Sequence, residues 1–158
     1  MRLLIVTALF ASTLASALRA QQPILYGNPI GLEKAKQVAA AAVAQAEKNG
    51  WLMAVTVLDP TGNLVYFERM DGTQLGSIQV SMAKARSAVL FKRPTKTYED
   101  ALAAGGIGLR ILKVEGAMPV EGGVPLIENG RIISAIGVSG AQPTQDGQCA
   151  NAAAASVH

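Results

Sequence analysis

One cysteine, Cys149, and one histidine, the terminal His158, leave this 158-residue chain poor in metal ligands and in nucleophile–base pairs. Zinc sites draw on Cys, His and carboxylate clusters at ligand spacing, and hydrolytic triads need a histidine inside the fold, so both are excluded. No CxxC or CxxCH occurs, which removes thioredoxin-like redox chemistry and c-type cofactor attachment. With one thiol there is no intrachain disulfide. Cys149 reads as a buried small hydrophobe on an Ala-rich helix, or else as half of a link between subunits. A P-loop and a dinucleotide fingerprint are also missing: Gly105-Gly106-Ile107-Gly108 follows no plausible strand and lacks the third glycine. The nucleophile elbow fails too, because Gly137-Val138-Ser139-Gly140 misses GxSxG by one residue.

Aromatics make up only 4% and charged residues 16%, but 50% of the chain is hydrophobic and the mean hydropathy is +0.29. That content excludes disorder, and a chain this long buries roughly two-thirds of its unfolded surface without staples. The 16 Gly and 7 Pro are spread along the chain, so collagen-like and linker readings fail as well. One globular domain remains.

The charge of +3 invites a nucleic-acid reading until the first segment is considered. Met1-Arg2 is a basic start, Leu3 to Leu14 an apolar core, and Ala15-Ser16-Ala17 and Leu18-Arg19-Ala20 are small-residue cleavage sites. Residues 1–20 therefore read as a signal peptide cleaved near Ala17 or Ala20, and residues 21–158 as a single periplasmic or secreted domain. The apolar stretch is too short to span a bilayer, so no stable membrane anchor is expected. Removing Arg2 and Arg19 from 14 basic residues leaves 12 against 11 acidic, a net charge of +1. Nucleic acid, which needs a sustained cationic excess, is not an expected partner.

Periodicity gives the order of elements. After an irregular stretch from Gln21 to Pro29, Gly31 to Lys48 is helical on a stripe of Leu32, Ala35, Ala39, Val43 and Ala46. Leu52 to Leu58, the turn Asp59-Pro60-Thr61-Gly62-Asn63 and Leu64 to Arg69 form a hairpin. A second helix runs from Ser77 to about Lys92 on Ile78, Met82, Ala85 and Val89, and Pro94 ends it. Thr97-x-x-Asp100 starts a short helix over Tyr98 to Ala104, and Leu109 to Lys113 reads as a short strand. A second hairpin joins Val124 to Ile127 with Arg131 to Val138 through Asn129-Gly130, and an Ala-rich helix follows from Thr144. Hairpins without βαβ units predict an α/β fold of the α+β kind, an antiparallel sheet of about five strands with helices packed on it.

Two places concentrate polar chemistry. Gly137-Val138-Ser139-Gly140 leaves a strand and enters a helix through Thr144, which suits either an anion at free backbone N–H groups or a tight connection capped by Thr144 or Ser139. Asp146 favours the capped connection, since it already answers the helix dipole. The second place is Lys84, Arg86, Lys92, Arg93 and Lys96, which could hold an anionic ligand or complement a helix C-terminus. Lys84 and Arg86 are two apart, so at most one of them faces any given pocket.

Together these segments resemble the GlcG/HbpS haem-binding family, also found as the C-terminal domain of PduO-type proteins. The resemblance rests on Val57-Leu58-Asp59-Pro60-Thr61-Gly62-Asn63-Leu64, Arg69-Met70-Asp71-Gly72, Ser81 to Ala88, Arg93-Pro94-Thr95, Glu121 to Leu126 and Ala135 to Gly140, in that order. It implies a profilin-like fold, a homo-oligomer and non-covalent haem binding, linked in secreted relatives to haem sensing or iron and oxidative stress. Two departures bear on the pocket: Ala141 and Asn151-Ala152-Ala153 stand where relatives carry glycine. The expected ligand-binding residues are Lys84, Arg86, Arg93 and Thr95 for haem, at a subunit interface, and Gly137, Ser139 and Gly140 for a small anion, with no catalytic residue. A haem iron would also need an axial donor. His158, Met70, Met82, Met118, Tyr66, Tyr98, Cys149, Thr95 and Thr97 are the candidates, and His158 is the best donor chemically. Two alternatives stay open: a binder or enzyme of small organic acids with Glu121 or Asp59 as general base, and a ligand-free structural oligomer.

Overall fold

The computed structural model describes residues 23–157; the expected leader and His158 lie outside them. Among the described residues the order is β1 (Leu25–Tyr26), α1 (Leu32–Lys48), β2 (Ala54–Leu58), β3 (Leu64–Arg69), α2 (Gly76–Phe91) and α3 (Lys96–Ala103), continuing through a 3-10 helix (Gly106–Lys113), β4 (Gly123–Glu128), β5 (Arg131–Ser139) and α4 (Pro143–Ala155). The mixed α+β class and the two hairpins are as expected.

Strand β5 is the centre of the sheet. It pairs antiparallel with β2 (Val55↔Val138, Val57↔Ile136) and with β4 (Val124↔Ile136), and β3 extends the sheet beyond β2. The stretch expected to be irregular contributes β1, which pairs in parallel with the start of β5 (Leu25↔Arg131). The strand expected over Leu109 to Lys113 is instead a 3-10 helix. The alternation of Ile107, Leu109 and Ile111 is overridden by Gly105 and Gly106, which at φ of 67° and 54° fold the chain back onto α3. Gly108 packs there so closely that a Cβ would lie 1.8 Å from the Ala101 carbonyl.

The two sheet faces are built differently. On one, Ala35, Val38, Ala39, Ala42 and Ala46 of α1 and Cys149, Ala150 and Ala153 of α4 cover Val55, Val57, Ile136 and Val138. Full burial of each of these larger side chains contributes roughly 1.5–3 kcal/mol. Leu32, expected in the α1 stripe, is exposed. On the other face α2 packs with small residues: Ser77, Ser81, Ala85 and Ala88 are buried, while Ile78 and Met82 are only half-buried. Of the expected α2 stripe, Ala85 and Val89 are buried, but the buried face is rotated away from Ile78 and Met82. The cause is Gly137, where a Cβ would sit 2.0 Å from the Ser81 carbonyl oxygen. At that approach the sheet tolerates small side chains, and Thr56 and Ser81 meet through a 2.8 Å hydroxyl hydrogen bond. Lys92, at φ 56°, and then Pro94 end the helix.

Candidate functional site

Rotating α2 inward on its small residues leaves Gln79, Met82 and Arg86 on its outer side. Leu58, Gly62 and Leu64 from the β2–β3 hairpin and Gln79, Met82, Ala83 and Arg86 from α2 enclose a cavity of about 330 Å3, open on one side. The hairpin turn is held by Asp59, whose Oδ1 accepts the Thr61 N–H at 2.8 Å, the Thr61 hydroxyl at 2.6 Å and the Asn63 N–H at 3.0 Å. Burial works against the Asp59 charge, but these donors outweigh it and hold the carboxyl below the usual range. Asp59 therefore organises the turn and stays ionised. Gly62, at φ 86°, presents its carbonyl to Arg86, whose Nη1 donates to it at 3.3 Å and so holds the guanidinium at the cavity. The site offers apolar walls, one fixed cation and one thioether.

Arg86 is the one residue of the expected cationic group that lines this cavity. Lys84, two positions away, turns into the protein as the spacing argument requires. Its buried amine ion-pairs with Asp146 at 2.6 Å and donates to the Val138 carbonyl at 3.1 Å. Burial pulls the Lys84 pKa down and pushes the Asp146 pKa up, against their mutual attraction. Gly122 makes the passage: at φ 125°, a Cβ there would meet Lys84 Nζ and Asp146 Cβ at 2.9 Å each. Thr95 is buried, and its hydroxyl accepts the Gly123 N–H at 2.9 Å, joining the start of α3 to β4. Arg93 is exposed; its Nε donates to the Phe91 carbonyl and its guanidinium lies over the Tyr98 ring, 5.7 Å from the centroid.

The glycine-rich passage is a capped connection. Gly137 accommodates α2, a Cβ on Gly140 would fall 2.0 Å from the Leu52 carbonyl oxygen, and Ser139 bonds to Ser77 at 3.3 Å. Gln142 and Gln145 form a capping box at the start of α4, and Asp146 Oδ1 accepts the Ala141 N–H at 3.1 Å. These groups take up the backbone donors of Ala141, Gln142 and Gln145, and Gly137, Ser139 and Gly140 are not among the residues lining the cavity beside α2.

Glu121 lies away from the cavity. Its N–H donates to the Glu99 carboxylate at 2.6 Å, and its Oε2 is enclosed with no hydrogen-bond partner among the described residues. Of the candidate axial donors among the described residues, Met82 alone lines the cavity. The Met70 sulfur accepts the Met53 N–H, the Tyr66 hydroxyl bonds Glu68, Tyr98 is buried edge-on against Phe91, and burial pushes the Cys149 thiol up to about 11. Met118 is half-buried and Thr97 exposed, both outside the lining. Sequence reasoning assigned Met82 to the core and overlooked Leu58, Leu64 and Gln79. The signal was present in the outer α2 positions Leu75, Gln79, Met82, Arg86 and Leu90, which recur at helical spacing.

Residues 30–155 match the family model described as haem degrading protein HbpS-like. The chain belongs to this HbpS-like family. It is 38% identical to Protein GlcG of Escherichia coli strain K12 over 107 residues, 68% of this chain and 78% of that protein. The crystal structure of HbpS superposes with a TM-score of 0.75 at 32% identity, covering 90% of this chain and 99% of that one. A second solved structure, the PduOC:heme complex, gives a TM-score of 0.73 at 26% identity, covering 82% and 96%.

Proposed function

We propose that this chain binds haem non-covalently at the outer face of α2. The carrying observation is the cavity, in which apolar Leu58, Leu64 and Ala83 stand beside Arg86 and Met82. That set fits the group: apolar walls for the macrocycle, a guanidinium for a propionate and a soft thioether for iron. The PduOC relative, solved as a haem complex, supports the assignment. Bound haem would supply an iron centre. The residues of the chain cover the ring, orient it through Arg86 and limit water access. The seven lining residues include no Asp, Glu, His, Cys, Lys or Tyr, and the reading is binding without turnover. The leader-like start and its apolar core support export to the periplasm or medium, where such a protein would take part in haem sensing or iron-stress handling. The exposed apolar residues on α2 support a homo-oligomer. The organic-acid reading has no such support, because Asp146 already occupies the start of α4.

The test is an absorbance titration with hemin, following the Soret band. Saturable binding is expected, weakened about tenfold by Arg86→Ala and unchanged by Arg93→Ala, since removing a charged hydrogen bond costs on the order of 1.5 kcal/mol. His158→Ala in parallel asks whether the terminal imidazole contributes. A spectrum that follows free hemin throughout rejects the proposal.

A further inference from the structure

The 3-10 helix Gly106–Lys113 is the only helical element among the described residues that buries none of its residues. With three residues per turn, its side chains fall on three sides. Gly108 and Ile111, both half-buried, share the side on which Gly108 meets the Ala101 carbonyl. Leu109 and Leu112 form a second side, 53% and 62% exposed. Ile107, Arg110 and Lys113 form the third, and Ile107 is 71% exposed. Large apolar side chains and two cations therefore stand together on the outside of one short segment that contains no acid. Glu115 is the nearest acid along the chain. On α3, Asp100 is paired with Lys96 and Glu99 accepts the Glu121 N–H, so both acids are engaged elsewhere. The ion pairs among the described residues include neither Arg110 nor Lys113.

We propose that this face docks on an anionic lipid bilayer. Ile107, Leu109 and Leu112 enter the boundary between headgroups and acyl chains, and Arg110 and Lys113 reach back to lipid phosphates along their own apolar stems. Charge selects this partner. A second copy meeting the face across a two-fold axis would set the cations against their own counterparts, whereas an anionic bilayer accommodates the apolar tips and the cations together. The contact is peripheral: the element lies on the bilayer, and no helix among the described residues is long and apolar enough to cross a membrane. Docking is independent of the haem reading, because the 3-10 helix shares no residue with the cavity beside α2.

The experiment is co-sedimentation with vesicles of phosphatidylglycerol and phosphatidylethanolamine, and with vesicles of phosphatidylcholine. The protein is used without residues 1–20, whose apolar run would bind vesicles by itself; the fold lies within residues 23–157. The variants are Leu109→Ser/Leu112→Ser, Arg110→Gln/Lys113→Gln and, as a control on α1, Lys36→Gln/Lys48→Gln. All six positions are exposed, and circular dichroism checks that each variant is folded. Binding to the phosphatidylglycerol vesicles is expected, at least about tenfold stronger than to phosphatidylcholine and released at about 0.5 M salt. Each variant of the 3-10 helix should weaken it at least about tenfold, and the α1 control less than about twofold. No binding, equal binding to both kinds of vesicle, an unchanged affinity in either variant of the 3-10 helix, or an equal loss in the α1 control overturns the inference. So does light scattering that shows the parent as an oligomer without vesicles and Leu109→Ser/Leu112→Ser as a monomer, since a second copy would then cover this face.

Discussion

Lys84 Nζ lies 2.6 Å from Asp146 Oδ2 and joins α2 on one face of the sheet to α4 on the other, through the gap that Gly122 leaves beside β5. Both groups are buried, so removing one strands the other without a counter-charge. Asp146→Asn should therefore cost about 3–5 kcal/mol, a fall in Tm of about 10 °C. Lys84→Met should cost a similar amount. The double variant Lys84→Met/Asp146→Asn should lose less than the two single losses added together, because no buried charge remains. Thermal unfolding of all four proteins closes the cycle, and additive losses would show that the pair is not coupled.

Gly137→Ala tests the close approach of α2. The added methyl would lie 2.0 Å from the Ser81 carbonyl and 2.5 Å from the Ala85 nitrogen, both backbone atoms. The helix must shift, at a cost of about 1–3 kcal/mol or more, and the cavity on its outer face shifts with it. Gly76→Ala is the control on the same helix: nothing lies within 4 Å, and replacing glycine favours the helix by up to about 1 kcal/mol. Denaturant unfolding should move the two midpoints in opposite directions. Equal midpoints would remove Gly137 from its packing role.

Hairpins, helices and their order were legible because Asp59 to Asn63 and Asn129-Gly130 are local signals, read without knowing what packs on them. The rotation of α2 was not. Hydrophobicity favours Ile78 and Met82 as its buried residues, but the strand opposite presents Gly137, and only a face of serine and alanine fits that approach. The same rotation decides the site. Once the small residues face inward, Met82 and Arg86 line the cavity and Lys84 becomes internal, so one geometric fact explains both the correct separation of Lys84 from Arg86 and the misplacement of Met82. The pairing of β1 with β5 was invisible for another reason: two residues carry no periodicity. The capped start of α4 was readable only in part: Asp146 favoured it, but the cap is Gln142 with Gln145, not Thr144 or Ser139.

Cys149 is buried in the core, and burial pushes its thiol up to about 11. At pH 8 in the folded protein it is both protonated and covered, so a disulfide-exchange reagent should modify less than about one chain in ten over an hour. In denaturant one thiol per chain should react at once. Rapid modification of the native protein would revive the link between subunits. Cys149→Ala should lower stability by about 1 kcal/mol, and Cys149→Ser by more, since a hydroxyl there lacks an assigned partner.

Glu121 gives the stability a pH dependence of a defined sign. Burial, and then the Glu99 carboxylate, push its pKa above the usual carboxylate value, against the weaker pull of Lys96 and Lys84. A raised pKa means that the folded state holds this proton more tightly than the unfolded chain does. Below the unfolded pKa both states are protonated and no penalty exists. As the pH climbs from there through the folded pKa, the unfolded state ionises first and stability is lost, after which the loss is constant. Glu121→Gln stays neutral throughout and escapes this loss. Its Tm should match that of the parent protein near pH 4 and exceed it at pH 7, with the gap opening between those values. A gap of the same size at both pH values would mean that the substitution acts through packing against Gly147 and not through the proton.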